Sequence, residues 1–242
     1  MVTEISLQDF TVIDLVALAW FFICWFGYAY YSERKAQRKD CLSSVLHRHR
    51  VRWMSLMMTR ENRVSDASLI ANLERNVSFF ASSTLLILAG VVTALGAVEE
   101  LQGAFQNVSW VVHTSLQVLQ VKFLVLAGIF IYAFFKFTWS LRQYGFACVI
   151  IGSTPLFEQV PLQASEKSQR QEILATDAAH VISRAAYAFN LGLRSYYFAL
   201  SFLVWFIHPV FFMAVSTWVV AVLYRREFKS RVLKAMVRSE TE

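Results

Sequence analysis

Apolar residues in this chain run in long windows, without the strict alternation of a half-buried strand or the two-faced pattern of a soluble helix. Four windows stand out. They are "TVIDLVALAWFFICWFGYAYY" (11–31), "VSFFASSTLLILAGVVTALGAV" (77–98), "VLQVKFLVLAGIFIYAFFKFTW" (118–139) and the long stretch 191–224. A helix needs about 20 apolar residues to cross roughly 30 Å of hydrocarbon, so each window predicts at least one transmembrane helix. The fourth has 34 residues and would be about 51 Å long as a single helix. That is too long for one span without steep tilt. "FLVWFIHPVFFMAV" places His208-Pro209 near its middle. Proline favours the first position of a helix, and the residue before it avoids helical angles. The pair therefore predicts a turn between two spans, 187–207 and 209–224. The competing reading is one tilted span with a proline kink.

The polar positions between the windows also read as helix. "DASLIANLERNVSFF" carries Ile70, Leu73, Val77 and Phe80 at helical spacing, with Ser65 or Asp66 as its N-cap. It enters the second window without a breaker. "SQRQEILATDAAHVISRAAYAFNLGLR" opens on Ser168-x-x-Gln171, the pattern of a capping box, and runs into the fourth window. The third window continues through "SLRQYGFACVII", after which Gly152, Pro155 and Pro161 mark a loop. In "LSSVLHRHRVRWMSLMM", Leu42, Val45, Leu46, Trp53, Leu56 and Met57 share one face, and basic residues fill much of the other. Such a helix suits either the headgroup layer or packing against a helical stalk.

Composition agrees with a membrane setting. Of 242 residues, 57% are hydrophobic and only 17% charged, where a soluble domain carries about a quarter charged. Mean hydropathy is +0.46. The N-terminal "MVTEISLQDF" lacks the basic front of a signal peptide, so the first window reads as a retained helix. Charge then sets orientation, because Lys and Arg collect in cytoplasmic loops. Basic residues crowd the segment after the first span, from Arg34 to Arg75, and the tail from Arg225 to Arg238. The segment "EELQGAFQNVSWVVHTSLQ" has none. Five spans put every basic segment inside. The expected fold is therefore all-α: a polytopic membrane helical bundle, one domain over 1–242, with about five transmembrane helices. It carries cytoplasmic helical extensions at about 40–76 and 140–186, a periplasmic N-terminus and a cytoplasmic C-terminus.

Three blocks, "RENRVSDASLIANLERNVSFFASSTLLILAG", "AFNLGLRSYYFALSFLVWFIHP" and "VLYRREFKS", resemble a family of bacterial and plant membrane proteins grouped as domain of unknown function 599. The resemblance covers nearly the whole chain. It implies an integral inner-membrane protein of bacteria and supplies no activity, cofactor or catalytic residue.

Candidate chemistry then rests on ionisable residues in or beside the spans, which are expensive there. Asp14 and Lys122 fall at matching depth near the outer ends of the first and third spans. They read as a functional polar pair, as a structural ion pair or as side chains snorkelling to the interface. Asp177, His180, Arg184, Tyr187, Asn190 and Arg194 recur every three or four residues along one helix. Asn72, Arg75, Asn76 and Ser83 make a thinner stripe on another. With Lys136, these predict a cationic cleft at the inner surface, for which buried structural networks are the alternative. Such a cleft would take an anion, a phospholipid headgroup or an acidic partner segment.

Cys24, Cys41 and Cys148 have no paired spacing, and His47-x-His49 lacks a third ligand, so no metal site is read. No phosphate loop, G-x-S-x-G or H-E-x-x-H is present, and no cofactor or catalytic residue is assigned. Asn76-Val-Ser78 and Asn107-Val-Ser109 match the glycosylation sequon only as chance patterns. The sequence thus points to a non-enzymatic scaffold or accessory subunit. Its partners would be anionic inner-leaflet lipid, a membrane protein or a second copy of the chain, and not nucleic acid. The rival is a small channel or transporter for an ion or anionic solute, using Asp14, Lys122 and Arg194.

Overall fold

The structure, a computed structural model, describes residues 10–36, 41–106, 114–156 and 163–241. The extreme N-terminus, Arg38, Lys39, the second sequon and Pro161 lie outside these residues. The described chain is all helix. Its elements are α1 (Val12–Ala36), α2 (Leu42–Met57), α3 (Val64–Gly96), α4 (Val98–Gln106), α5 (Leu116–Ser153), α6 (Ala164–Leu203), a 3-10 turn (Val204–Phe206), α7 (Pro209–Phe228) and α8 (Arg231–Thr241). Among the described residues, four segments are long and apolar enough to cross a membrane: Val12–Ala36, Val64–Gly96, Leu116–Ser153 and Pro209–Ser239. The expected span 187–207 is not among them. Residues 187–203 belong to α6, whose polar first half begins at Ala164, and the 3-10 turn follows.

The described residues form two compact units. The first draws on the stretches Met1–Gln37, Ser83–Phe134 and Leu193–Arg226. In α1, only a narrow seam of Asp14, Ala17, Phe21, Trp25, Tyr28 and Ser32 is buried. This is the spacing of one helix face. Large apolar side chains cover the rest, including Val12, Val16, Ile23 and Phe26, all exposed. A helix apolar on every side but buried on one requires an apolar surrounding for the others.

Phe21 is the centre of this unit. Its ring lies 5.8 Å from Phe198, 5.4 Å from Phe202 and 5.2 Å from Phe212, so one side chain joins α1, α6 and α7. Trp25 meets Tyr132 of α5 edge-on at 5.7 Å.

The chain reverses after the 3-10 turn. Pro209 opens α7, where its missing N–H costs nothing. His208 caps it: Val210 N donates to His208 Nδ1 at 3.1 Å, and Phe212 N donates to the His208 carbonyl at 3.1 Å. Ser216 Oγ then lies 3.4 Å from Ser201 Oγ, where a continuous helix would separate them by about 22 Å. His208 and Pro209 do not make the reversal alone, because 204–206 leave the α-helix early.

The second unit draws on Arg38–Ser82, Phe135–Gly192 and Glu227–Glu242. On α6, Ala175, Ala178, Ala179, Ile182, Ala185 and Ala188 are buried. This small-residue stripe lets backbones approach, and Ser140 Oγ reaches the Ala185 carbonyl at 2.7 Å. Phe137 is fully buried and packs on Phe80 and Phe189. α2 packs here against its neighbours: its His47 meets α6, Trp53 meets α3 and His49 meets α8. Its buried face is Val45, Met54 and Met57, with Leu56 exposed.

Two cap assignments need correction. Ser168 lies inside α6, which starts at Ala164, because "ASEK" is itself competent to form helix. Gln171 donates instead to the Ser55 carbonyl at 3.1 Å. Ser65 and Asp66 lie within the first turn of α3, and Val64 N donates to Asn62 Oδ1 at 3.0 Å. Asp66 is fully buried and accepts from Trp53 Nε1 at 2.6 Å and Arg60 at 2.8 Å, locking the α2–α3 connection. Arg63 donates to the carbonyls of Ile151, Thr154 and Pro155, closing the C-terminus of α5.

A Cβ on Gly192 would lie 2.5 Å from the Phe137 ring. With Phe137 held between Phe80 and Phe189, Gly192→Val should destabilise by about 1–3 kcal/mol through overpacking. Thermal unfolding in detergent, followed by tryptophan fluorescence, checks this.

Candidate functional site

Three groups of polar side chains form, two in the first unit and one in the second.

The first joins Asp14 and Lys122, both buried. They are not in direct contact. Trp205, fully buried, stands between them: its Nε1 donates to Asp14 Oδ1 at 2.8 Å, and its carbonyl accepts from Lys122 Nζ at 2.9 Å. Lys122 Nζ also lies 5.0 Å from the centre of the Trp205 ring. Thr11 Oγ1 donates to the other oxygen of Asp14. The Trp205 carbonyl is available because the 3-10 turn frees it from regular helix bonding. Acid, indole and ammonium therefore form one relay tying α1, α5 and the turn. The depth match between Asp14 and Lys122 is legible in sequence, but the bridging role of Trp205 is not.

The second group lines the late part of α1, the start of the α6 segment in the first unit, and the end of α7. Lys35 Nζ donates to Tyr31 at 2.9 Å and Tyr224 at 2.8 Å, and stands over both rings. Arg226 donates to the Tyr197 phenol at 2.6 Å and stacks on its ring. Arg194 donates to Ser32 Oγ at 3.0 Å and lies 5.2 Å from the Tyr28 ring centre. Arg34 covers Tyr30 at 4.6 Å. Such contacts hold the alkyl stem of each cation against an aromatic face. Cations and tyrosines mixed in this way are the composition of a membrane–water interface. No helical spacing links these residues into one group along the chain. Its signal was present in "YAYYSERK", "RSYYF" and "LYRREF".

The third group is the α6 stripe in the second unit. Asp177, His180, Arg184 and Asn190 are all exposed, and Arg184 lies 5.6 Å over the Tyr187 ring. Arg75 is exposed on α3, and Lys136 is half-buried on α5. Beside the stripe, His47 Nδ1 is 2.9 Å from Ser183 Oγ, and its ring is 6.5 Å from that of His180. Burial lowers the His47 pKa, with smaller contributions from His180 and Arg50. His49 points elsewhere, to the Met236 carbonyl at 3.3 Å. Among the described residues, no group of three or more His, Cys, Asp or Glu converges on a metal position.

These features define an integral membrane protein of the helical-bundle class. A family model described as "Protein of unknown function, DUF599" matches residues 16–232, so the chain belongs to that family. No curated protein and no solved structure matches it.

The sign of the His47 shift gives a pH dependence. The fold holds this ring neutral at pH values where the unfolded chain takes up a proton. Stability from this group is complete above the ordinary histidine range, near about 6.5, and falls as pH drops below it. Unfolding temperature measured at pH 7.5 and 5.5 should therefore fall more for the natural protein than for His47→Gln.

Proposed function

We propose that the protein is a non-enzymatic membrane scaffold or accessory subunit of a bacterial inner membrane, binding anionic lipid through its cation–tyrosine belt. The N-terminus lies on the periplasmic side and the C-terminus in the cytoplasm. The observation that carries this reading is the grouping of Lys35, Arg194 and Arg226 with Tyr28, Tyr31, Tyr197 and Tyr224. Phenol and hydroxyl oxygens hold these cations among tyrosines, the composition of a membrane–water interface, where basic side chains attract lipid phosphate. The exposed α6 stripe and Lys136 supply further polar surface for a membrane-protein partner or a second copy of the chain. The channel reading draws on Asp14, Lys122 and Arg194. The buried Trp205 between Asp14 and Lys122 favours a structural role for that pair instead.

Native mass spectrometry of gently extracted protein tests the belt. Lys35→Gln and Arg226→Gln should each reduce retained anionic lipid about fivefold, the equivalent of about 1 kcal/mol per cation. Zwitterionic lipid should be unaffected. Equal retention of anionic lipid by the natural protein and the double variant would refute the proposal.

A further inference from the structure

Arg50 presents a different chemistry. It sits on α2 in the second unit, half-buried, and donates to Ser183 Oγ at 3.3 Å. Among the described residues, that hydroxyl is its acceptor, and no carboxylate lies within ion-pairing distance. A guanidinium carries five N–H donors in a planar fork, so most of its donor capacity is unused. Burial depresses its pKa. A half-buried cation whose side-chain acceptor is a single hydroxyl is an incomplete arrangement.

The neighbours supply further donors. Ser183 Oγ, which accepts from Arg50, also lies 2.9 Å from His47 Nδ1. In the tautomer in which the hydroxyl donates to Nδ1, the His47 proton sits on Nε2 and is a further donor. His180 lies one turn before Ser183 on α6, exposed, with its ring perpendicular to that of His47 and 6.5 Å away. A separation of this size admits one oxyanion oxygen between two imidazole donors at about 2.8 Å from each. The charged groups nearest to the cluster in sequence on these elements are Arg48 and Arg52 on α2 and Asp177 and Arg184 on α6, all exposed. Arg184 is engaged with Tyr187, and Asp177 makes no ion pair with the cluster.

We infer that Arg50, His47 and His180, organised around Ser183, form a binding site for a phosphate group. A tetrahedral dianion matches the guanidinium fork, accepts from both imidazoles and supplies the missing counter-charge. The site is separate from the cation–tyrosine belt and does not depend on the lipid reading. The phosphate belongs either to a free phosphate or phosphate monoester, or to the headgroup of a lipid such as phosphatidic acid.

The test uses full-length protein in neutral detergent, with sodium phosphate as the probe and sodium chloride at matched ionic strength as the control. Phosphate at about ten times its dissociation constant should raise the unfolding temperature by about 3 °C. Arg50→Gln should abolish the rise. His180→Gln, at an exposed position that leaves packing untouched, should reduce it at least by half and decides the matter if Arg50→Gln does not fold. Nanodiscs with and without phosphatidic acid distinguish the sources. Arg50-dependent retention of phosphatidic acid assigns a lipid headgroup, and a response to inorganic phosphate alone assigns a soluble ligand. Lys35→Gln should leave the phosphate response intact, so the two proposals fail separately. An equal rise in the natural protein and His180→Gln, or no response to either probe, would overturn the site.

Discussion

The reversal at His208-Pro209 is the constraint on which the first unit depends. An apolar run of this length can satisfy its backbone as one helix or as two. Two require a break whose freed polar groups find partners. The break here meets that demand locally: proline has no N–H to lose, the His208 ring caps α7, and the Trp205 carbonyl is taken by Lys122. Once the chain has turned, Phe212 comes back onto Phe202 and Trp205, and Phe21 of α1 seats against the same aromatic cluster. The buried Asp14 then acquires its indole donor. Core packing and polar satisfaction in this unit are therefore two consequences of one turn.

The cations show a common design. The belt residues Lys35, Arg194 and Arg226, and Arg50 in the second unit, are all held by hydroxyl or phenol oxygens. The buried Asp66 is the contrast, bonded to Arg60 and Trp53 as a structural lock between α2 and α3. A carboxylate partner cancels a charge, whereas the Ser183 hydroxyl positions the Arg50 guanidinium and leaves its other donors to an external anion. With a formal net charge of +6, the chain keeps cationic surface and assigns its buried acids to internal duties.

Much of the architecture was legible because apolar windows and breakers act locally. The windows at 11–31, 77–98 and 118–139 coincide, to within two residues at their ends, with parts of α1, α3 and α5, and Pro209 opens α7. The all-α membrane bundle follows from these alone. What escaped depends on tertiary partners. The α2 pattern favoured Leu56 over Met54, but Met54 is buried and Leu56 exposed, since neighbours decide which edge of an apolar face is covered. The capping pattern at Ser168 was overridden by continuing helical propensity from Ala164. Depth matching put Asp14 opposite Lys122 yet could not insert Trp205, because an indole contributed by a distant turn leaves no spacing signal. The Arg50–Ser183–His47 contact joins residues more than 130 apart and is invisible to any local pattern.

The most direct test of the account is the distance between residues 197 and 226. Spin labels placed by Tyr197→Cys and Arg226→Cys, in a chain whose three native cysteines are replaced by serine, report it by pulsed dipolar spectroscopy. The fold-back predicts a separation below about 20 Å, and a single kinked or continuous helix predicts about 43 Å. The shorter distance supports the aromatic core, the Trp205 relay and the belt together; the longer one would contradict all three.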